Sequence, residues 1–205
     1  MHELLQRIIS GTVFCLTLFA LFFYAPAYIF SVLMFVILIE ILFLEWPQLM
    51  RVHSVPFWCI TPLYPILPFF LLIFLNQHTQ ARFLLPILFI VVWASDIGAY
   101  CVGKRIGKHK LLPRISPGKT WEGFVGSFVA CVIVMNIICR YLVCSWSLLK
   151  IISMSFTICC VATAGDLFES WLKRKAGIKD TGSLLPGHGG FLDRFDSILF
   201  VVILC

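Results

Sequence analysis

From Leu148 to Arg174 the chain reads LLKIISMSFTICCVATAGDLFESWLKR. Its first part, Leu148–Ala164, holds a single charge, Lys150, and is otherwise apolar or small. It then changes character, to Gly165-Asp166-Leu167-Phe168-Glu169-Ser170-Trp171-Leu172-Lys173-Arg174. A helix rises about 1.5 Å per residue, and a bilayer core of about 30 Å takes about 20 mostly apolar residues. The stretch predicts a helix that crosses a membrane and leaves it with a polar stripe. Asp166, Glu169, Ser170 and Lys173 stand at i, i+3, i+4 and i+7, which is one helix face.

The rest of the chain agrees with a membrane reading. Of 205 residues, 60% are hydrophobic and 13% charged, with a mean hydropathy of +0.99. A soluble domain carries about 25% charged residues. Further apolar runs lie at Ile8–Tyr24, Ala27–Leu44, Phe57–Leu75, Phe83–Tyr100 and Phe124–Val143, and another starts near Ser197. The expected fold is an all-α, polytopic transmembrane helix bundle, with about six full spans and a partial C-terminal helix. It forms one membrane domain, with N-terminal helices over 1–95 and a catalytic region over 96–205. Arg7, an apolar run and Ala25-Pro26-Ala27 imitate a signal peptide, but a second apolar run follows at once, so no cleavage is expected. Pro56, Pro62, Pro65 and Pro68 crowd the third span and predict a broken or curved helix. None of the nine Cys forms a C-x-x-C pair, and nearly all fall in apolar runs. They read as small hydrophobes, not as disulfides or a zinc site.

Charge is confined. Of 16 Lys and Arg, six lie between Lys104 and Lys119 and five between Lys173 and Arg194. Such bias marks the cytoplasmic side, so the polar stretches 103–122 and 165–196 face the cytoplasm. Two spans separate them, which returns the chain to the same face. Half of the ten acidic residues fall between Asp166 and Asp196.

Three segments carry chemistry. The first is the stripe from Asp166 to Lys173; for an isolated carboxylate, a solvated amphipathic face would be the ordinary reading. The second is Leu185-Pro186-Gly187-His188-Gly189-Gly190-Phe191-Leu192-Asp193-Arg194-Phe195-Asp196. Its glycines let backbone amides approach an anion, and Asp193 and Asp196 stand one helical turn apart. Carboxylates from separate segments suit Mg²⁺, which takes a few of them plus substrate phosphates. The third runs from Asp96, at the end of an apolar run, to Ser116-Pro117-Gly118-Lys119-Thr120-Trp121-Glu122-Gly123. An ionisable residue near a span is a functional candidate. Gly118-Lys119-Thr120 imitates the tail of a P-loop, but the first glycine of that motif would fall at Pro113, and no strand precedes it. What remains is a Lys and hydroxyls at a helix N-terminus, where phosphate is favoured. Glu40 sits inside a span. Glu45, Arg51, His53 and Arg82 read as interface residues.

The segment Ser170–Asp196, S-W-L-K-R-K-A-G-I-K-D-T-G-S-L-L-P-G-H-G-G-F-L-D-R-F-D, resembles the signature of phosphatidate cytidylyltransferases, also called CDP-diacylglycerol synthases. Asp96–Gly123 is similar to a second block of that family. The resemblance covers the C-terminal half. It implies Mg²⁺-dependent transfer of CMP from CTP to phosphatidate, giving CDP-diacylglycerol and pyrophosphate. It further implies catalytic roles for Asp166, Lys173, Arg174, Lys179, Asp180, His188, Asp193, Arg194 and Asp196. Nucleotide binding falls to Asp96, Ser116, Lys119, Thr120 and Glu122. A pair of Mg²⁺ ions is implied on Asp166, Asp193 and Asp196. The expected setting is the lipid bilayer of a bacterial inner membrane, with the site facing the cytoplasm, a homodimer, and no nucleic-acid partner. A rival is a CTP-dependent kinase of a polyprenol. A transporter using Asp96 and Glu40 is a poorer fit, because the polar groups gather in two same-side stretches.

Overall fold

The computed structural model describes residues 2–142, 146–182 and 189–205, with the side chains of 2–10 and 14 left aside. Helix α1 (His2–Tyr24) stops before Pro26, whose ring cannot continue it. Helix α2 (Ala27–Glu40) passes through a π turn (Ile41–Glu45) into the short α3 (Trp46–Leu49). Next come α4 (Val55–Ile60), α5 (Leu67–Gln77) and α6 (Leu84–Ile106). A hairpin of β1 (Lys110–Leu112) and β2 (Ser116–Thr120) leads into α7 (Trp121–Tyr141), α8 (Leu148–Ala176) and α9 (Leu192–Val201).

Among the described residues five helical units are long and apolar enough to cross a membrane: Ala27–Leu49, Val55–Gln77, Leu84–Ile106, Trp121–Tyr141 and Leu148–Ala176. A shorter apolar stretch, Gly11–Tyr24, lies within α1. The helical membrane bundle is as expected, with five counted spans against about six. The final helix starts earlier than Ser197: α9 begins at Leu192 and tightens into a 3₁₀ turn at Val202–Leu204. Stretch 103–122 holds a small antiparallel sheet between its helices, with Lys110 opposite Thr120.

The proline-rich span is broken as expected. Between α4 and α5, Tyr64 leaves helical geometry (φ −154°, ψ 115°), beside a cis Tyr64–Pro65 bond. Ser54 caps α4 by accepting from the Phe57 amide.

The packing is that of a protein whose solvent is partly lipid. Phe35, Phe43, Phe70, Ile97, Val125, Leu149 and Phe156 are each more than half exposed. Trp46, Phe69, Leu72, Leu85, Phe195 and Ile198 are fully buried between α2, α3, α5, α6 and α9. Polar side chains bridge helices: Asn76 donates to Ala27 O and Ser31 Oγ (2.6 and 2.9 Å), and Trp46 to Thr61 Oγ1 (2.7 Å). Arg82 Nη2 donates to the Phe22 carbonyl at 2.7 Å, closing the end of α1. In lipid such bonds matter because no water competes for them.

Helix α8 positions the site. Of its 29 residues, the C-terminal ones carry the polar stripe, so Asp166 to Lys173 are helical and not a loop. Helix α9 lies directly on it. A side chain at Gly165 would come within 2.7 Å of the Asp196 carbonyl and 3.0 Å of Phe200, so only glycine admits this approach.

Candidate active site

A cavity of about 360 Å³ opens at the polar ends of α6, α7 and α8, against the hairpin. Asp96, Ser116, Lys119, Thr120 and Asp166 line it, five residues that the sequence singled out, from two of its three segments. Ser95, Tyr100, Phe124, Ser127 and Thr163 also line it. Ser95 and Ser127 share a hydrogen bond of 2.5 Å between α6 and α7, and Ser127 donates to Cys159 Sγ on α8 at 3.4 Å.

Across this cavity Lys119 Nζ meets Asp166 Oδ2 at 2.6 Å. The two side chains are about a quarter and a third exposed, so the pair remains open to exchange. Ser170 donates to Asp166 Oδ1 at 3.2 Å, the i, i+4 contact that the stripe implied. Thr120 caps α7: its Oγ1 accepts from the Gly123 amide at 3.1 Å. Lys119 thus stands just before a helix N-terminus, where the backbone dipoles favour an anion.

A second node lies one to two turns further along α8. Lys173 Nζ contacts Glu169 Oε1 at 3.1 Å and Asp193 Oδ1 at 2.8 Å. The other Asp193 oxygen accepts from the amides of Thr181 (3.0 Å) and Gly190 (2.9 Å). Burial would raise the Asp193 carboxyl, but hydrogen bonds with Glu169, Lys173 and the Gly190 amide outweigh it and hold it below the usual range. Asp196 behaves oppositely. Burial, then repulsion from Asp166 and Asp96, push its carboxyl up to about 7.

Among the described residues no three His, Cys, Asp or Glu side chains gather where one ion could be held. The expected trio of Asp166, Asp193 and Asp196 is not among such groups, and Lys173 and two amides occupy the oxygens of Asp193. The donor chemistry of Asp166 and Asp196 still fits a hard divalent cation. Mg²⁺ takes one or two carboxylates and completes its shell with water and phosphate oxygens.

Other expected site residues have different placements. Glu122 does not line the cavity; its carboxylate accepts from His109 N (3.2 Å) and sits 2.7 Å from His109 Nδ1, tying the hairpin base. Arg174 reaches the Ile115 carbonyl at 3.3 Å and so pins the hairpin to α8. Lys179 and Asp180 are exposed, as is Arg194 in the first turn of α9. His188 lies outside the described residues.

Sequence reasoning missed two residues. Glu45, read as an interface residue, is 1% exposed and accepts from Phe191 N, Leu192 N and Thr181 Oγ1. Thr181 is fully buried and joins Glu45 to Asp193. A carboxylate inside an apolar run is costly, and that cost was the available signal for Glu45.

Comparison with known proteins shows the family. Residues 6–205 match the model of the cytidylyltransferase family. A phosphatidate cytidylyltransferase of Staphylococcus saprophyticus is 50% identical over 117 residues, 56% of this chain and 44% of that protein. The one from Haemophilus influenzae is 43% identical over 124 residues, 58% of this chain and 43% of that protein. The matched segment thus spans under half the length of these relatives. With a family match running over nearly its whole length, this chain belongs to the cytidylyltransferase family.

Proposed function

We propose that the protein transfers a cytidylyl group from CTP to phosphatidate, releasing pyrophosphate and forming CDP-diacylglycerol. The observation that carries this reading is the cavity at the polar end of a membrane bundle, with Lys119 and Asp166 meeting across it. A lipid headgroup can reach that level from the bilayer, and a triphosphate can reach it from water. The names of the relatives support the same substrate pair.

The reaction asks little of a general base. The second pKa of a phosphate monoester is near 6, so the lipid phosphate is already largely a dianion at neutral pH. One of its oxygens attacks the α-phosphorus of CTP; the bond to the β-phosphate oxygen breaks and pyrophosphate leaves with the electron pair. The obstacle is the repulsion between two polyanions, so positioning and electrostatics dominate. Lys119 and the α7 N-terminus hold the triphosphate. Lys173, fixed by Asp193 and Glu169, together with Arg174, Lys179 and Arg194, sets the positive field for the lipid phosphate and the leaving group. Asp166 and Asp196 would hold Mg²⁺, with Asp96 beside them. The ion would neutralise phosphate charge. Asp193 orders Lys173 and the amides of Thr181 and Gly190 rather than serving as a ligand.

The same proposal places the reactive groups in 96–205 on the cytoplasmic face of a bacterial inner membrane. Its support is the confinement of cations to the two polar stretches. A homodimer in the membrane plane rests on the family likeness alone, and crosslinking in native membranes tests it.

The deciding experiment supplies membranes with phosphatidate and CTP labelled either in cytidine or at the γ-phosphate, with and without Mg²⁺. Cytidine label in the lipid, dependent on Mg²⁺, is the expected result. γ-Phosphate label in the lipid would replace the reading with a kinase.

A further inference from the structure

Glu45 lies on the second span, far in sequence from every other site residue. Its carboxylate nevertheless ends at the start of α9. Oε1 accepts from the Phe191 amide at 2.7 Å, and Oε2 accepts from the Leu192 amide at 2.8 Å and from Thr181 Oγ1 at 3.1 Å. The first amides of a helix have no intrahelical partner, and α9 has no side-chain cap of its own. Glu45 supplies that cap from across the molecule. The π turn Ile41–Glu45 sits where the side chain is needed, and such turns occur often at functional sites.

We infer that Glu45 is a positioning residue of the transfer reaction, acting as a remote anionic cap that fixes the α9 N-terminus and the Asp193–Lys173 pair. The inference rests on the proposed activity. The connection is short and fully hydrogen-bonded. Glu45 holds Thr181 by its hydroxyl, Thr181 holds Asp193 by its amide, and Asp193 holds Lys173 at 2.8 Å. The Gly190 amide, which bonds Asp193, directly precedes the Phe191 and Leu192 amides that bond Glu45, so the cap sets where the Asp193 carboxylate points. The neighbouring backbone is shaped around it: a Cβ at Gly190 would collide with Glu45 Oε1 and lie 2.5 Å from Thr181 Oγ1.

This geometry asks for a carboxylate rather than for size. Both Glu45 oxygens act as acceptors, and all three partners are donors. Glutamine is nearly isosteric, but its NH₂ would face an N–H in place of an acceptor. Aspartate keeps the acceptors on a shorter stem.

The test uses the full chain in membranes, with Glu45→Gln, Glu45→Asp and Thr181→Val. Turnover is measured at varied CTP, and hydrogen exchange is followed at residues 189–193. For Glu45→Gln we expect kcat to fall by about 10- to 100-fold with the KM for CTP changed far less, as for removal of a supporting hydrogen bond at a site. Exchange at Phe191 and Leu192 should accelerate while the membrane helices keep their protection. Glu45→Asp should recover part of the loss, and Thr181→Val should reproduce a smaller one. Wild-type kcat in Glu45→Gln, or unchanged exchange at both amides, would overturn the inference. So would equal loss in the Gln and Asp variants with faster exchange throughout the bundle, which marks general unfolding. If the wild type itself forms no cytidylyl lipid, the proposed activity fails, and the exchange comparison still decides whether Glu45 caps α9.

Discussion

Asp193 is the residue whose surroundings say most about the site. Its side chain is 5% exposed, bound to Lys173 on one oxygen and to two amides on the other. Asparagine offers one acceptor oxygen and two donors, so it leaves either Lys173 or the amides without a partner. Losing one member of a buried, hydrogen-bonded charge pair costs about 3–5 kcal/mol. Asp193→Asn is therefore expected to abolish CTP turnover while the protein still inserts, measured as lipid product per membrane-embedded molecule. Lys119 stands differently, since it and Asp166 are both partly open to solvent. Lys119→Ala should weaken CTP binding, seen as a rise in KM of about tenfold, the effect of losing one phosphate-binding cation. Asp196 gives a pH signature. Its carboxyl is pushed up to about 7, above its unfolded value of about 4, so the folded state keeps the proton over that interval. Its contribution to stability is complete below about pH 4 and is lost as pH rises through 7. Melting of the protein in detergent with chelator should fall over that window, and Asp196→Asn should flatten the fall.

At the scale of elements, α8 joins both nodes, and α9 must lie flat against it for Asp196 to reach Asp166. Gly165 permits that contact. Gly165→Leu is expected to cost about 1–3 kcal/mol through overpacking and to lower turnover more than stability, measured by melting beside the lipid assay. Much of this was legible in sequence. The spacing of Asp166, Ser170, Glu169 and Lys173 foretold the contacts that the helix makes. The hairpin over 110–120 was not legible, because its strands are short and lack alternation. Glu122 meets His109 through that hairpin, a contact that its motif position does not foretell.

For the whole molecule, hydropathy was enough to read a helical membrane bundle, because lipid tolerates little else. It could not show which polar residues meet across the bundle. Glu45 and Phe191 are 146 positions apart, and no local pattern links them. The pairing of Lys173 with Asp193 is likewise one that no local spacing shows, since it joins α8 to α9 across 20 positions. The 1–95 helices consequently do more than anchor the chain, since one of them reaches the site.

On the proposed function, Asp166, opposed by Lys119 in the cavity, lies where CTP meets the lipid phosphate. The most direct measurement is transfer of cytidine label from CTP to phosphatidate by membranes carrying either the native chain or Asp166→Asn at equal abundance. The account requires label in the lipid with the native chain and almost none with the variant. Equal labelling by both would contradict it.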